Sequence, residues 1–184
     1  MTETFNIDPA HSSIGFAVKH MMVTTVRGRF GEFSGHVELP DGEATNAQAE
    51  FTIQAASIDT GVGPRDEHLR SADFFDAANH PELRYVSSRI EALGGDRYRA
   101  DGELTIRGVT NPVSLEIELG DRIRDPWGND RVGISARGKL SRKQWGLNWN
   151  QALEAGGMLV SDEVKLEIDA ALVMPQANAA EVAA

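Results

Sequence analysis

The chain has 184 residues, 41% of them hydrophobic, and its 28 acidic against 18 basic side chains give a formal net charge of -10. That balance repels a phosphate backbone and no Lys/Arg block offsets it, so nucleic acid is excluded as a partner. Cysteine is absent, which excludes disulfides, thiolate metal sites and cysteine nucleophiles.

The length fits one domain over residues 1–173 with room for a sizeable core. No apolar run approaches a membrane span, so no integral membrane segment is expected. Met1 to Asp8 has neither the basic nor the apolar part of a signal peptide and begins a strand pattern at once, so the expected location is cytoplasmic.

Alternation with a period of two dominates the chain from there on. Ile14, Phe16, Val18 and His20 share one face, against Ser13, Ala17 and Lys19. Phe33, Gly35, Val37 and Leu39 alternate with Glu32, Ser34, His36 and Glu38 before a Pro40-Asp41-Gly42 turn, which places His36 outside. Ala49, Phe51, Ile53 and Ala55 form the next inward face of a strand expected to end at Ser57 and Ile58. There the β pattern stops. Gly61 to Pro64 break the backbone, Pro64 suits a first helical residue, and Asp66 and Glu67 fall where a helix dipole favours acids. The spacing predicts one short helix over about residues 64–72, ended by Asp73-Phe74-Phe75-Asp76, a turn with two rings to bury.

After Asn79-His80-Pro81 a strand runs from about Leu83 to Leu93 and turns at Gly94-Gly95. Tyr98, Ala100, Gly102, Leu104 and Ile106 make the next inward face, followed by Val113, Leu115, Ile117 and Leu119. Past a Pro126-Trp127-Gly128-Asn129-Asp130 turn come Val132, Ile134, Ala136, Gly138 and Leu140, and finally Val164, Leu166, Ile168, Ala170 and Leu172. Eight or nine antiparallel strands, each with one apolar face, are best satisfied by closing the sheet, which removes its edges. The fold class is all-β, with a barrel as the leading architecture and a β-sandwich as the alternative. Residues 174–184 carry no pattern and read as a disordered tail.

Many inward positions are small: Gly35, Ala49, Ala55, Ala100, Gly102, Ala136, Gly138 and Ala170. In a solid core they would leave voids, so they call for a facing bulky side chain or a guest molecule, and an eight-stranded barrel is wide enough for one small ligand. Glycines that only let strands coil at barrel corners are the alternative.

Catalytic signatures are weak. His11, His20, His36, His68 and His80 include no zinc-binding pair at helical spacing. His11, Ser12 and Ser13 cannot act as base and nucleophile from adjacent strand positions. Gly61-Val62-Gly63-Pro64-Arg65 lacks the Gly-Lys-Ser/Thr ending of a phosphate loop, although the helix start and Arg65 suit the anionic head of a ligand. Trp145 and Trp149 read as an aromatic rim or as barrel-end packing, and Phe74 and Phe75 as a cavity wall or as a staple for the helix.

Several motifs in order resemble one family. They are Phe5-Asn6-Ile7-Asp8-Pro9-Ala10-His11-Ser12-Ser13-Ile14-Gly15-Phe16, Val18-Lys19-His20, Gly31-Glu32-Phe33, Ser57-Ile58-Asp59-Thr60, Arg65-Asp66-Glu67-His68-Leu69, Asp73-Phe74-Phe75-Asp76, the run from Gly102 to Thr110, and Arg142-Lys143-Gln144-Trp145-Gly146-Leu147. Together they resemble the YceI-like family of polyisoprenoid-binding proteins from about Phe5 to Val173. The departures are Phe5 where Trp is common, Gln144 where an acid is common, and the lack of the export signal that many relatives carry.

The resemblance implies an extended eight-stranded antiparallel lipocalin-like barrel, with a helix near one end and a long apolar pocket for an isoprenoid chain of the polyprenyl quinone or polyprenyl phosphate type. It also implies a homodimer. The expected function is a non-enzymatic carrier or sequestering protein with no metal and no cofactor besides its bound isoprenoid lipid. Phe16, Val18, Phe33, Phe51, Ile53, Leu69, Phe74, Phe75, Leu104, Ile106, Ile134 and Trp145 are the expected tail contacts, and His20, Arg65 and His68 the expected polar end. The alternatives are an enzyme using His11, His20 and His68 as metal ligands or acid-base groups, and a stress-response module whose barrel is filled by its own side chains.

Overall fold

The computed structural model describes residues 1–176. In chain order the elements are β1 (Glu3–Ile7), β2 (Ser13–His20), β3 (Thr24–Phe30), β4 (Phe33–Leu39), β5 (Gln48–Gln54), β6 (Ile58–Asp59), the helix α1 (Gly63–Arg70), β7 (Glu82–Gly94), β8 (Arg97–Ile106), β9 (Val109–Arg124), β10 (Asp130–Ser141) and β11 (Val160–Met174). Eight strands close an antiparallel barrel in the order β1-β4-β5-β7-β8-β9-β10-β11, with β11 returning to β1. Closure satisfies the backbone donors and acceptors that a sandwich of these strands would leave at its edges.

β11 has two neighbours on one side. Its Leu172 and Val173 pair with Ile7 and Asn6 of β1, whereas Val164 to Asp169 pair with β2, which in turn carries β3 and the short β6. Between β1 and β2 the chain bends through a 3-10 turn at Pro9–His11, capped by Asp8 accepting from the Ala10 amide.

α1 begins at Gly63, one residue before the expected start, with Pro64 second, and ends at Arg70. Leu69 is its only large apolar residue, so polar ties must hold it. Asp66, itself buried, accepts from the Thr60 amide at 2.9 Å and from the Thr60 hydroxyl. Arg70 donates to the carbonyls of Ala56 and Ile58 at 2.8 and 3.0 Å. The helix is thereby fastened to the segment on either side of β6.

Four local expectations change. β3 is an additional strand whose inward set is only Val26, Gly28 and Phe30, too little alternation to signal itself. The hairpin leading into it turns through Met21 and Met22 with φ of 53° and 60°, without the Asn or Gly that normally marks such a turn. β5 stops at Gln54, and Ala55–Ser57 form a 3-10 turn that buries Ala55 completely. Met174 belongs to β11, opposite Asp130, rather than to a tail. Residues 177–184 of the expected disordered tail lie outside the described residues.

Candidate functional site

The barrel encloses a cavity of about 550 Å3. Strand register fixes its two ends, since Met174 of β11 sits beside Asp130 at one end of β10 and Glu163 beside Ser141 at the other. Near Asp130 lies a mouth lined by Glu3, Leu39, Gly42, Ala44, Ala47, Asp121 and Arg122. At the opposite end Phe30, Leu69, Phe74, Phe75, Leu104, Ile106, Trp145 and Leu147 form a floor. Floor side chains are largely withdrawn from solvent, Trp145 to 1% and Leu147 to 5% exposure, whereas Gly42, Asp121 and Arg122 at the rim are exposed. The wall between is apolar, from Phe5, Ile7, Phe51 and Ile134 to Ala49, Ala100, Ala136 and Ala170.

The small inward residues divide into two kinds. Gly35, Gly102 and Gly138 are covered by neighbours: a Cβ at each would stand 2.2 Å from Phe51 Cδ1, 2.5 Å from Tyr85 Cζ and 2.8 Å from Leu115 Cδ2. The glycines therefore seat rings and branched chains on the wall. Ala49, Ala100, Ala136 and Ala170 line open space. Both features leave the lumen free. Tyr85, which also lines it, has its phenol pushed up to about 12 by burial, with the charge of Asp101 adding to the shift.

Mouth and floor differ in polarity. At the mouth, Arg122 donates to both Glu3 oxygens at 3.0 and 3.1 Å and to Asp130 at 2.7 Å, and its guanidinium sits 5.3 Å over the Phe5 ring. These carboxylates, Glu3 first, raise its already high pKa. Arg124 also donates to Asp130, so two arginines face two carboxylates and the cluster is balanced. A β-bulge aims Arg122 at the cavity: Val132 pairs with Arg122 but Ile134 with Leu119, leaving an extra residue on β9.

At the floor, Trp145 donates its indole N–H to the Leu104 carbonyl at 2.8 Å. Trp149 meets Phe74 and His68, with ring centroids 5.5 and 4.6 Å apart. Arg142 lines the cavity here while 5% exposed.

Of the expected tail contacts, Phe16, Val18, Phe51, Ile53, Leu69, Phe74, Phe75, Leu104, Ile106, Ile134 and Trp145 line the cavity. Phe33 packs between the two halves of the core, outside the lining. The expected polar end is not assembled at the cavity. Arg65 is spent on the Thr60 hydroxyl and carbonyl at 2.7 and 2.8 Å, His68 bonds Asp73 at 2.8 Å behind the floor, and His20 ends β2 at a hairpin. None of the three is among the lining residues. His11, on a separate 3-10 turn, pairs with Asp8 at 2.8 Å, and among the described residues no three His, Asp or Glu side chains come together as a metal site.

The expected tail contacts and polar end left out Phe5, Ile7, Tyr85, Ile117, Arg122 and Arg142, which line the cavity. Ile117 carried the inward alternation, and Arg142 occupies the inward parity two residues past Leu140, so a charged residue at a core position was its signal. Nothing in the pattern announced Arg122, because the bulge shifts it out of phase.

A closed antiparallel barrel around one elongated apolar cavity defines the class of lipocalin-like small-molecule-binding folds. Within it the chain belongs to the YceI-like domain family, whose model matches residues 5–172. UPF0312 proteins of Staphylococcus aureus and Staphylococcus epidermidis are 35% identical to it over 167 residues, covering 90% of this chain and 95% of theirs. Among solved structures, Burkholderia cenocepacia BcnA is 25% identical with a TM-score of 0.78, over 90% of this chain and 98% of its own. The Campylobacter jejuni YceI protein is 26% identical with a TM-score of 0.74, over 86% and 90%. A polyisoprenoid binding domain from Saccharophagus degradans, 16% identical with a TM-score of 0.66 over 93% and 98%, shares the fold.

Proposed function

We propose that the protein binds one long-chain isoprenoid-type lipid, of the polyprenyl quinone or polyprenyl phosphate class, inside the barrel and carries or sequesters it. The observation that carries this reading is the cavity of about 550 Å3, walled by apolar side chains from the mouth to the floor. Such a shape rewards a flexible hydrocarbon, because each Å2 of apolar surface withdrawn from water contributes roughly 25 cal/mol. Family membership supports it, and the barrel shared with the Saccharophagus domain is consistent with it. The reading is of a binding protein rather than an enzyme, acting as a homodimer, with sedimentation velocity as the check on that assembly.

Titration with prenyl alcohols of increasing length tests the proposal, using intrinsic tryptophan fluorescence, to which Trp145 at the floor contributes, as the reporter. Saturable one-to-one binding is expected, tightening roughly tenfold or more with each isoprene unit until the lumen is full, since burying one CH2 is worth about 0.8 kcal/mol and about 1.4 kcal/mol is tenfold in affinity. Absence of saturable binding at every length would overturn it.

A further inference from the structure

Arg142 carries a charge that the fold leaves without an ionic partner. It donates through Nε to Ser161 O at 2.9 Å, through Nη1 to Leu147 O at 2.6 Å and Trp149 O at 2.9 Å, and through Nη2 to Val160 O at 3.3 Å. A guanidinium has five N–H groups, so one Nη2–H remains, and every acceptor used is a neutral carbonyl. Among the described residues no carboxylate pairs with it. Asp162 contributes a favourable field, but its oxygens are turned to the Ser141 hydroxyl at 2.7 Å and the Lys143 amide at 3.3 Å.

The contrast with the mouth is informative. Arg122 is matched by Glu3 and Asp130 and has no charge to offer a ligand. Arg142, buried among apolar floor residues, is the cavity-lining cation that is not so matched. Burial lowers its pKa, the signature of a cation held in a poorly solvating place. An anion arriving there would gain a charge-assisted hydrogen bond in surroundings where water screens it weakly.

We infer that Arg142 is the recognition point for an anionic head group, a carboxylate or phosphate, which binds at the barrel floor while the apolar tail extends towards the mouth at Arg122. This rests on the lipid-carrier reading and adds to it an orientation and a preference for acidic over neutral lipids. It also moves the polar end away from Arg65, His68 and His20.

The tryptophans provide a ruler for the test. Trp145 lines the floor and Trp149 packs on floor residue Phe74, whereas Trp127 stands 81% exposed on the hairpin beside the mouth. In a Trp127→Phe variant at neutral pH, stearate bearing a nitroxide near its carboxyl is expected to quench the remaining tryptophans more than stearate bearing it near its methyl end. Stearate is also expected to bind about tenfold or more tighter than octadecanol, the scale of one charge-assisted hydrogen bond. Arg142→Gln should remove that preference, bringing the ratio of stearate to octadecanol affinity down to about one. Stronger quenching by the methyl-end label, equal affinity of the wild-type protein for acid and alcohol, or an intact acid preference in Arg142→Gln would overturn the inference while leaving lipid binding in place. Failure of both lipids to bind would overturn this inference, and the carrier reading falls with it only where the prenyl alcohols also fail to bind. Should Arg142→Gln not fold, the label comparison and the wild-type affinities decide.

Discussion

Phe51 lies across Gly35, its directly paired neighbour on β4, so closely that a Cβ at Gly35 would stand 2.2 Å from the ring. Phe16 covers its partner Gly28 in the same way, and Leu115 its partner Gly138. These pairs explain how a barrel rich in large side chains keeps an open lumen. A ring resting over a glycine fills the wall, whereas the same ring opposite an alanine would have to project inward.

Gly35→Ala should therefore destabilise the protein, since the new methyl meets both Phe51 and the Glu50 carbonyl, the latter at 2.5 Å. Overpacking of this kind costs about 1–3 kcal/mol, which thermal unfolding would read as a drop of roughly 2–12 °C for a domain of this size. An unchanged Tm would show that the wall has slack.

Trp145→Ala should be more damaging. It empties a site where the indole is 1% exposed and orphans the Leu104 carbonyl that accepts its N–H. A loss of about 3–5 kcal/mol is expected by denaturant titration. Trp149→Ala, removing a half-buried ring, should lose distinctly less.

Stability should fall at both extremes of pH. Arg131, aided by the Asn129 and Trp127 amides, holds the Asp125 carboxyl down at about 2, and Asp8, Asp130 and Asp162 are also lowered, by Arg131, Arg122 and Ser141 respectively. A depressed folded pKa means stability that is present above the unfolded value and is lost as pH falls through the folded one. Tm should thus decline from about pH 4 towards 2, and Asp125→Asn should shrink the decline. Tyr85, with its phenol raised to about 12, behaves oppositely. Its contribution is complete below the ordinary tyrosine value of about 10 and is lost as pH rises to 12, so Tyr85→Phe should flatten the alkaline limb.

Much of the barrel was legible because the sheet needs one apolar face and the period of two reports it directly: β8, β10 and β11 follow their alternation almost residue by residue, and β9 does so up to its bulge. β3 escaped because Gly28 occupies an inward position that Phe16 fills from the next strand, a contact no local pattern encodes. Most of the expected tail contacts line the cavity for the same reason that the strands were legible. The polar features of the cavity were not legible. Arg65 and His68 sit on the helix expected near one end of the barrel, yet their side chains serve Thr60 and Asp73, and a helix position alone does not say which way a long side chain turns. Arg122 reaches the mouth through a bulge, which breaks the periodicity that sequence reading depends on.

The central claim is that the lumen exists to hold a lipid, and mass spectrometry of an organic extract of the purified protein tests it most directly. Ala136 lines the lumen, so Ala136→Phe, which fills it, is the control. A long-chain lipid at about one per chain in the wild-type extract, absent from folded Ala136→Phe, is the expected result. A wild-type extract without lipid, or equal lipid in both proteins, would contradict the account.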